Sequence, residues 1–360
     1  MSNEVIFFIA FNVLIFGILI FDLGVFNRKK HEVSFKEALI WTSVWFGFAM
    51  LFYVFLRHYG HLIHGIEDLA GIKKVNDLYN HKILLTGTDF IADLKAYNKT
   101  ISLQYLTGFF IEYSLSIDNL FVMLLIFKSF DVEKKYYKTV LEWGIIGAVI
   151  MRFVFIFAGS ALVHEFHWIL YIFGAALVVS GVKMLIDQIQ NKGEEEGTTN
   201  RRFARYVSKF LSVFPRNVKG HIGFRHKNDG KFYFTPLFIV ILVIEFSDLL
   251  FAMDSVPAIF AVTLDPYTIF FSNVFAILGL RSLFFLLAYF VNVFHLLGYG
   301  LSILLTFIGS KLIFAEWYEK IGIDSNVSLF IILGIIVLAI IASLIFPKKV
   351  PVQDQQPQRE

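Results

Sequence analysis

Glu112-Tyr-Ser-Leu-Ser-Ile-Asp118-Asn119 places two carboxylates, two hydroxyls and a carboxamide inside a run otherwise apolar enough for lipid. A second cluster, Glu245-Phe-Ser-Asp248-Leu-Leu-Phe-Ala-Met-Asp254-Ser255-Val-Pro257, does the same further along the chain. An ionised carboxylate at a bilayer centre costs several kcal/mol unless it is paired, so intramembrane acids are functional candidates by default. Every nearby donor is an oxygen of carboxylate, carboxamide, hydroxyl or freed carbonyl, a set that suits hard cations such as Mn²⁺, Ca²⁺ or Mg²⁺. Cysteine is absent, and His164, His167 and His295 fall at the ends of apolar runs. Zinc and copper therefore fit less well, while Met253 beside Asp254 leaves room for a softer ion such as Mn²⁺.

Charge sets the sign of the ligand. Glu112, Asp118, Glu245, Asp248 and Asp254 carry −5 when ionised, and Arg152 and Arg281 return +2. The remaining −3 attracts a divalent cation together with a proton, and repels an oxyanion such as tellurite. A structural role competes with the functional one throughout. Ser114, Ser116 and Ser247 could equally be helix–helix glue, and Arg152 and Arg281 could pair with acids as scaffolding or act as gating groups.

The elements that must position these residues lie in a membrane. The chain is 57% hydrophobic and 17% charged, with 43 Phe in 360 residues and a mean hydropathy of +0.68; soluble domains average about 45–50% apolar and about 25% charged. A net charge of +3 gives no reason to expect nucleic acid. Runs long enough to span lie at about 4–25, 38–57, 102–127, 139–162, 168–187, 233–262, 268–293, 297–316 and 327–346. The pattern predicts an all-α polytopic membrane protein of about nine spans. Lys and Arg cluster after the first, third, fifth and ninth runs, which places the N-terminus outside and the C-terminus in the cytoplasm of a bacterial inner membrane. The first run follows Met-Ser-Asn-Glu without a basic leader, so it reads as a retained helix.

The expected organisation is two N-terminal spans (1–57), an extracytoplasmic loop with one or two short helices (58–100), three spans (101–187), a cytoplasmic loop (188–232), three more spans (233–316), a last span (317–346) and a disordered tail (347–360). In the cytoplasmic loop, Phe203, Tyr206, Val207, Phe210 and Phe214 keep helical spacing opposite Arg201, Arg205 and Lys209. That pattern predicts a helix at 200–214 lying on anionic lipid. Asn228-Asp229-Gly230 reads as a hairpin turn. Asp22 lies at the inner end of the first span.

The acidic clusters recur in register. Aligning Asp118-Asn119 with Asp254-Ser255 sets Glu112 opposite Asp248, and Arg152 and Lys183 then answer to Arg281 and Lys311. Four landmarks in one order mark a three-helix unit present twice, and an odd number of spans makes the two copies inverted. Inverted repeats characterise many secondary transporters, with the site at midplane where broken helices meet. Pro257 removes one ladder hydrogen bond and the Ser-x-Asp-Asn cluster offers competing partners, so both acidic helices are expected to break there.

At Thr107-Gly108 through Asp118-Asn119, at Thr235-Pro236 through Pro257-Ala-Ile-Phe-Ala, and at Thr268-Ile-Phe-Phe-Ser272-Asn273 through Arg281-Ser, the sequence resembles the TerC family of integral membrane proteins, with its Alx-type manganese exporters. The resemblance runs from about residue 10 to 345. It implies metal-ion transport, chiefly Mn²⁺ export, alongside links to tellurium resistance and pH response. By matching positions, the metal role would fall on Glu112, Asp118, Asp248 and Asp254, with Asn119, Glu245 and Ser255 assisting. The expected activity is thus alternating-access export coupled to proton entry, with the cation as substrate and no tightly bound cofactor. An enzyme is not expected, because the Gly-x-Gly-Asp loop of intramembrane aspartyl proteases is missing. A membrane scaffold or assembly protein is the alternative, and no protein partner is indicated.

Overall fold

The computed structural model describes residues 3–26, 33–130, 132–166, 168–190, 223–225, 232–290, 296–323 and 325–346. The basic stretch at 200–214, the turn at 228–230 and the tail lie outside these, as does the side chain of Asp22.

Helix α1 spans Asn3–Phe26 and α2 Phe35–Tyr59. Ser34 caps α2 by accepting a hydrogen bond from the Glu37 N–H at 3.3 Å, in the Ser-x-x-Glu spacing that marks a helix start. A 3-10 turn (Gly60–Ile63) and α3 (Leu69–Tyr79) follow. Asp68 caps α3 through the Gly71 N–H at 2.7 Å, and Asn80 ends it in the left-handed region at φ 51°.

Helix α4 runs Phe90–Ser129. Forty residues extend roughly 60 Å, about twice the hydrocarbon thickness of a bilayer. The outer loop therefore ends at 89 rather than 100. Hydropathy misses the first three turns because they carry Asp93, Lys95, Asn98 and Lys99, yet tertiary contacts hold them helical. Asn98 accepts from the His61 N–H at 2.8 Å and donates to the His58 carbonyl at 3.0 Å, fastening the end of α2 to α4.

Helix α5 (Lys134–Glu165) and α6 (Ile169–Ile189) precede a two-stranded hairpin, β1 (Gly223–Arg225) against β2 (Phe232–Phe234), with Phe224 opposite Tyr233. Then come α7 (Pro236–Phe260), α8 (Pro266–Phe290), α9 (Leu297–Ile313), the short α10 (Ala315–Lys320) and α11 (Ser325–Ile345). Pro236 and Pro266 each stand at the first turn of their helices, where a missing N–H costs nothing. The expected breaks do not occur. Pro257 sits inside a continuous α7, near its C-terminal end, and α4 is continuous through 112–119. Ser114 and Ser247 return their hydroxyls to Phe110 O at 2.6 Å and Val243 O at 2.9 Å, so they back-bond to their own helices rather than opening them.

Among the described residues, five helical runs are long and apolar enough to cross a bilayer: Phe35–Ile63, Lys134–Glu165, Ile169–Ile189, Pro266–Tyr289 and Val327–Ile345. The α8 run is 83% buried in its most apolar window, against 17–28% for the other four. Helix α8 is therefore enclosed by its neighbours, while the others turn apolar faces outward. Aromatic rings fill the space around it, with Phe271 4.3 Å from Phe11 and Phe275 4.9 Å from Phe52 between ring centroids.

Helices α6 and α9 approach backbone to backbone. A Cβ on Gly174 would lie 2.9 Å from the Gly309 carbonyl, one on Gly309 would lie 2.7 Å from the Gly174 carbonyl, and one on Gly181 would lie 2.8 Å from the Ser302 carbonyl. Small residues are what permits such crossings where no hydrophobic force drives helices together. Gly309→Val should force this pair apart and lower the thermal midpoint of the detergent-solubilised protein by several degrees, as overpacking of about 1–3 kcal/mol requires; Gly334→Val, at a position with open space around it, should leave it unchanged.

At the end of the molecule holding Asn3, His64 joins three segments. Its Nδ1 lies 3.1 Å from Glu4 Oε1 of α1 and its Nε2 lies 3.2 Å from Asp265 Oδ2 in the turn between α7 and α8. Burial disfavours the imidazolium, but Asp265 and Glu4 outweigh it and raise the His64 pKa from 6.5 to about 9. Burial likewise disfavours the Asp265 carboxylate, yet His64 and Thr268 bring it down from 3.8 to about 2. A raised histidine contributes stability that is complete below its unfolded pKa and is lost as pH climbs through the folded one. The protein should thus lose stability between pH 6.5 and about 9, by at most about 3 kcal/mol, and by a separate route as pH falls from 3.8 through about 2. Melting curves of wild type and His64→Gln across pH 5 to 10 check this: the variant should be less stable below pH 6.5 and lack the alkaline slope.

Candidate functional site

Four helices, α4, α5, α7 and α8, converge on Arg152 of α5, whose side chain is 1% exposed. Its Nη1 donates to Glu112 Oε1 of α4 in a short, direct ion pair and to Asn273 Oδ1 of α8 at 2.6 Å. Its Nη2 reaches Asp248 Oδ1 of α7 at 3.5 Å. The Ser116 hydroxyl, one helical turn from Glu112, donates to the same Oε1 at 3.1 Å, and Asn273 is itself oriented by donating to the Ile269 carbonyl at 3.1 Å.

Pairing is incomplete. Glu112 Oε2, Asp248 Oδ2, Glu245 Oε1, Asn119 Nδ2, Ser255 Oγ and Arg152 Nε are buried and make no hydrogen bond. Unsatisfied buried carboxylate oxygens are costly, and three of them lie on two facing helices, α4 and α7. The Glu245 carboxylate lies against the Cα of Gly147, where a Cβ would collide with it. With Asp248, Gly144, Ala148 and Arg281 it borders a cavity of about 20 Å³ whose exposed lining is apolar.

Of the residues that the sequence singles out, the structure brings Glu112, Asp248 and Arg152 into contact and sets Glu245 beside Asp248 on the cavity. Asn119 and Ser255 are buried on the same helices as these acids. Asp118 and Asp254 lie within α4 and α7, but their side chains fall outside the described residues. Among the described residues, no three His, Asp or Glu side chains stand close enough together to hold a metal ion, so the described acids do not by themselves close a cage. Arg281 does not join Arg152. Its Nη1 lies 3.4 Å from Glu142 Oε1 on α5, and it also lines the cavity beside Glu245 and Asp248.

Sequence reasoning left Asn273 and Glu142 without roles. Glu142 had a signal, since it is a lone acid inside the fourth apolar run, ten residues before Arg152. Asn273 had a weaker one, as a carboxamide near the start of the seventh. The pairing of His64 with Asp265, 201 residues apart, had none.

This arrangement, apolar helices enclosing a partly satisfied charged cluster, defines an integral membrane protein with a polar centre. The chain belongs to the integral membrane protein TerC family, whose model matches residues 97–350. It is 38% identical over 347 residues to an uncharacterised membrane protein of Myxococcus xanthus, covering 96% of this chain and 93% of that one. It is 37% identical over 333 residues, 92% of each chain, to an Escherichia coli K12 protein provisionally named membrane-bound redox modulator Alx, and 37% identical to an uncharacterised membrane protein of Rickettsia bellii over 94% of this chain and 96% of that one. No solved structure gives a significant match.

Removing one partner of a buried ion pair strands the other. Arg152→Met should destabilise the protein by about 3–5 kcal/mol, and adding Glu112→Gln should recover a large part of that loss. Thermal unfolding of both single variants and the double variant closes the cycle; additive losses would mean that the two residues do not interact.

Proposed function

We propose that this protein exports a divalent cation, Mn²⁺ foremost, across the bacterial cytoplasmic membrane by alternating access, exchanging it for protons. The observation that carries this reading is the set of unpartnered oxygens Glu112 Oε2, Asp248 Oδ2 and Glu245 Oε1 around Arg152, on helices that also bear Asp118 and Asp254. A finished structural network would satisfy them; a site that takes up a hard cation leaves them available. The cation would enter between α4 and α7 and be bound by Asp118 and Asp254, with Glu112, Asp248, Asn119, Glu245 and Ser255 contributing oxygen.

Contacts between α6 and α9 support the inverted-repeat organisation. Gly181 and Gly309 are equivalent in the repeat alignment, 128 positions apart. Gly181 faces Ser302 and Thr306, and Gly309 faces Gly174 and Val178. Each partner of one lies 128 positions from a partner of the other, the reciprocity that a two-fold axis imposes on a self-complementary contact. Rocking of one repeat against the other about such an axis is the usual route to alternating access.

Moving two positive charges outward against 100 mV costs about 4.6 kcal/mol at about 2.3 kcal/mol per charge, so roughly two incoming protons make the exchange electroneutral. Carboxylates that trade metal for protons would provide that coupling. The relatives' name speaks of redox modulation, but this chain has no cysteine and hence no thiol couple. A transporter also fits better than an enzyme, since among the described residues Glu112 and Asp248 meet across Arg152 rather than as an apposed dyad. The scaffold reading draws on the direct Arg152–Glu112 pair, which would also lock helices together.

Mn²⁺ flux into proteoliposomes separates the two. Wild type should transport, and Asp118→Asn, Asp254→Asn and Asp248→Asn should each lose about tenfold or more of the rate while eluting as folded protein. An imposed pH gradient should change the wild-type rate, and a rate indifferent to it would remove proton coupling. Absence of wild-type flux with Mn²⁺, Ca²⁺ and Mg²⁺ alike would leave the scaffold.

A further inference from the structure

Arg281 touches two cavities. One is the 20 Å³ space that reaches Glu245 and Asp248. The other, of similar size, is lined by Val33, Glu37, Lys138, Ser282 and Phe285 as well as Arg281. Those residues sit at the start of α2, the start of α5 and the later part of α8, the end of the bundle where Lys36, Lys134, Lys135 and Lys138 gather. Basic residues in short loops mark the cytoplasmic face. The Arg281 side chain is 11% exposed and that of its partner Glu142 is 6% exposed, and Arg281, held by Glu142, lines both the cavity at the basic end and the inner one that Glu245 and Asp248 border.

We propose that the Arg281–Glu142 pair is the cytoplasmic gate of this path, opened when an arriving divalent cation displaces the guanidinium from Glu142. A cation entering from the cavity at the basic end meets Glu37, Lys138 and Arg281 before Glu245 and Asp248. The positive charge of Arg281 repels it at short range, and in a low-dielectric wall that repulsion is weakly screened. Glu142 supplies the compensation, because a divalent ion binds one carboxylate more strongly than a monovalent guanidinium does. Arg281 therefore holds the place of the cargo while the gate is shut. What passes the gate rests on the transport reading above; the closure itself does not, and it is tested without transport.

The chain's lack of cysteine makes one introduced thiol a clean reporter. Ala148→Cys places it on the inner cavity. In inside-out vesicles bearing the full chain, Ag⁺, a small thiol-reactive cation, is added for timed intervals, and unblocked thiol is then counted by maleimide labelling after denaturation. Blocking should be slow in Ala148→Cys alone and about tenfold faster or more when Arg281→Gln is added, while Glu142→Gln, which keeps the repelling guanidinium and removes the carboxylate that draws the cation, should leave it slow. It should be slow again in the charge-exchanged Glu142→Arg, Arg281→Glu protein and in the conservative Arg281→Lys variant. Equal rates across all of these, or acceleration seen only in right-side-out vesicles, would overturn the gate. Either result holds whether or not Mn²⁺ flux is observed.

Discussion

A guanidinium that is 1% exposed cannot lose its proton and cannot reach water, so its charge must be answered inside the protein. Arg152 is that charge, and the centre of the molecule is arranged to answer it. Glu112 comes from α4, Asp248 from α7 and Asn273 from α8, which fixes the rotation of three helices about a fourth. The mostly apolar flanks of those helices say little about rotation, because Leu, Ile and Phe pack acceptably over a range of angles. A buried ion pair is weak evidence for net stability, since apolar replacements of similar volume often do as well. What it does supply is a penalty for every wrong arrangement, because turning any of the helices away strands a charge.

The same interaction explains why a site remains. Arg152 has two Nη groups and an Nε, and its fork faces three partners at unequal distances. Glu112 takes a close bond, while Asp248 receives one only at 3.5 Å. Each carboxylate keeps a second oxygen that Arg152 does not touch. Arg152 holds Glu112 and Asp248 in place without pairing all of their oxygens. On the transport reading proposed above, a divalent cation or protons would complete the balance, and competition between those two occupants would be the physical basis for exchange.

How much of this the sequence disclosed depends on whether a feature is local. Charges in apolar runs are visible in one dimension because hydropathy makes them anomalous, so Glu112, Asp248, Glu245 and Arg152 could be singled out. The membrane class followed from composition for the same reason. What failed were inferences requiring knowledge of neighbours. The first three turns of α4 are polar in sequence, and only the packing of the 58–79 segment, through Asn98 among others, shows why they stay helical. Pro257 and the serines of both clusters had reasons to break their helices, but the proline lies close to the helix end and Ser114 and Ser247 found back-bonds within their own turns. Pairing was the least legible. Alignment made Arg152 and Arg281 equivalents, whereas the structure gives one to the centre and the other to Glu142.

That inequality is itself informative. On the inverted-repeat reading, Arg152 and Arg281 would occupy identical settings if the two halves obeyed their symmetry at every point. Helices α6 and α9 do obey it, through the reciprocal glycine contacts, so the departure is local to the helices carrying the charges. On the proposed transport reading, a two-state device would exchange these environments, each state enclosing one half's arginine and leaving its counterpart at a solvent-side cavity. Here Arg152 is enclosed by Glu112, Asp248 and Asn273 with its Nε unpaired, and Arg281 borders the cavity beside Lys138. Passage between the states would then have to trade the environments of two arginines, and the energy of that trade is set by how strongly Glu112, Asp248 and Glu142 each hold a positive charge when the cargo is there to compete for them.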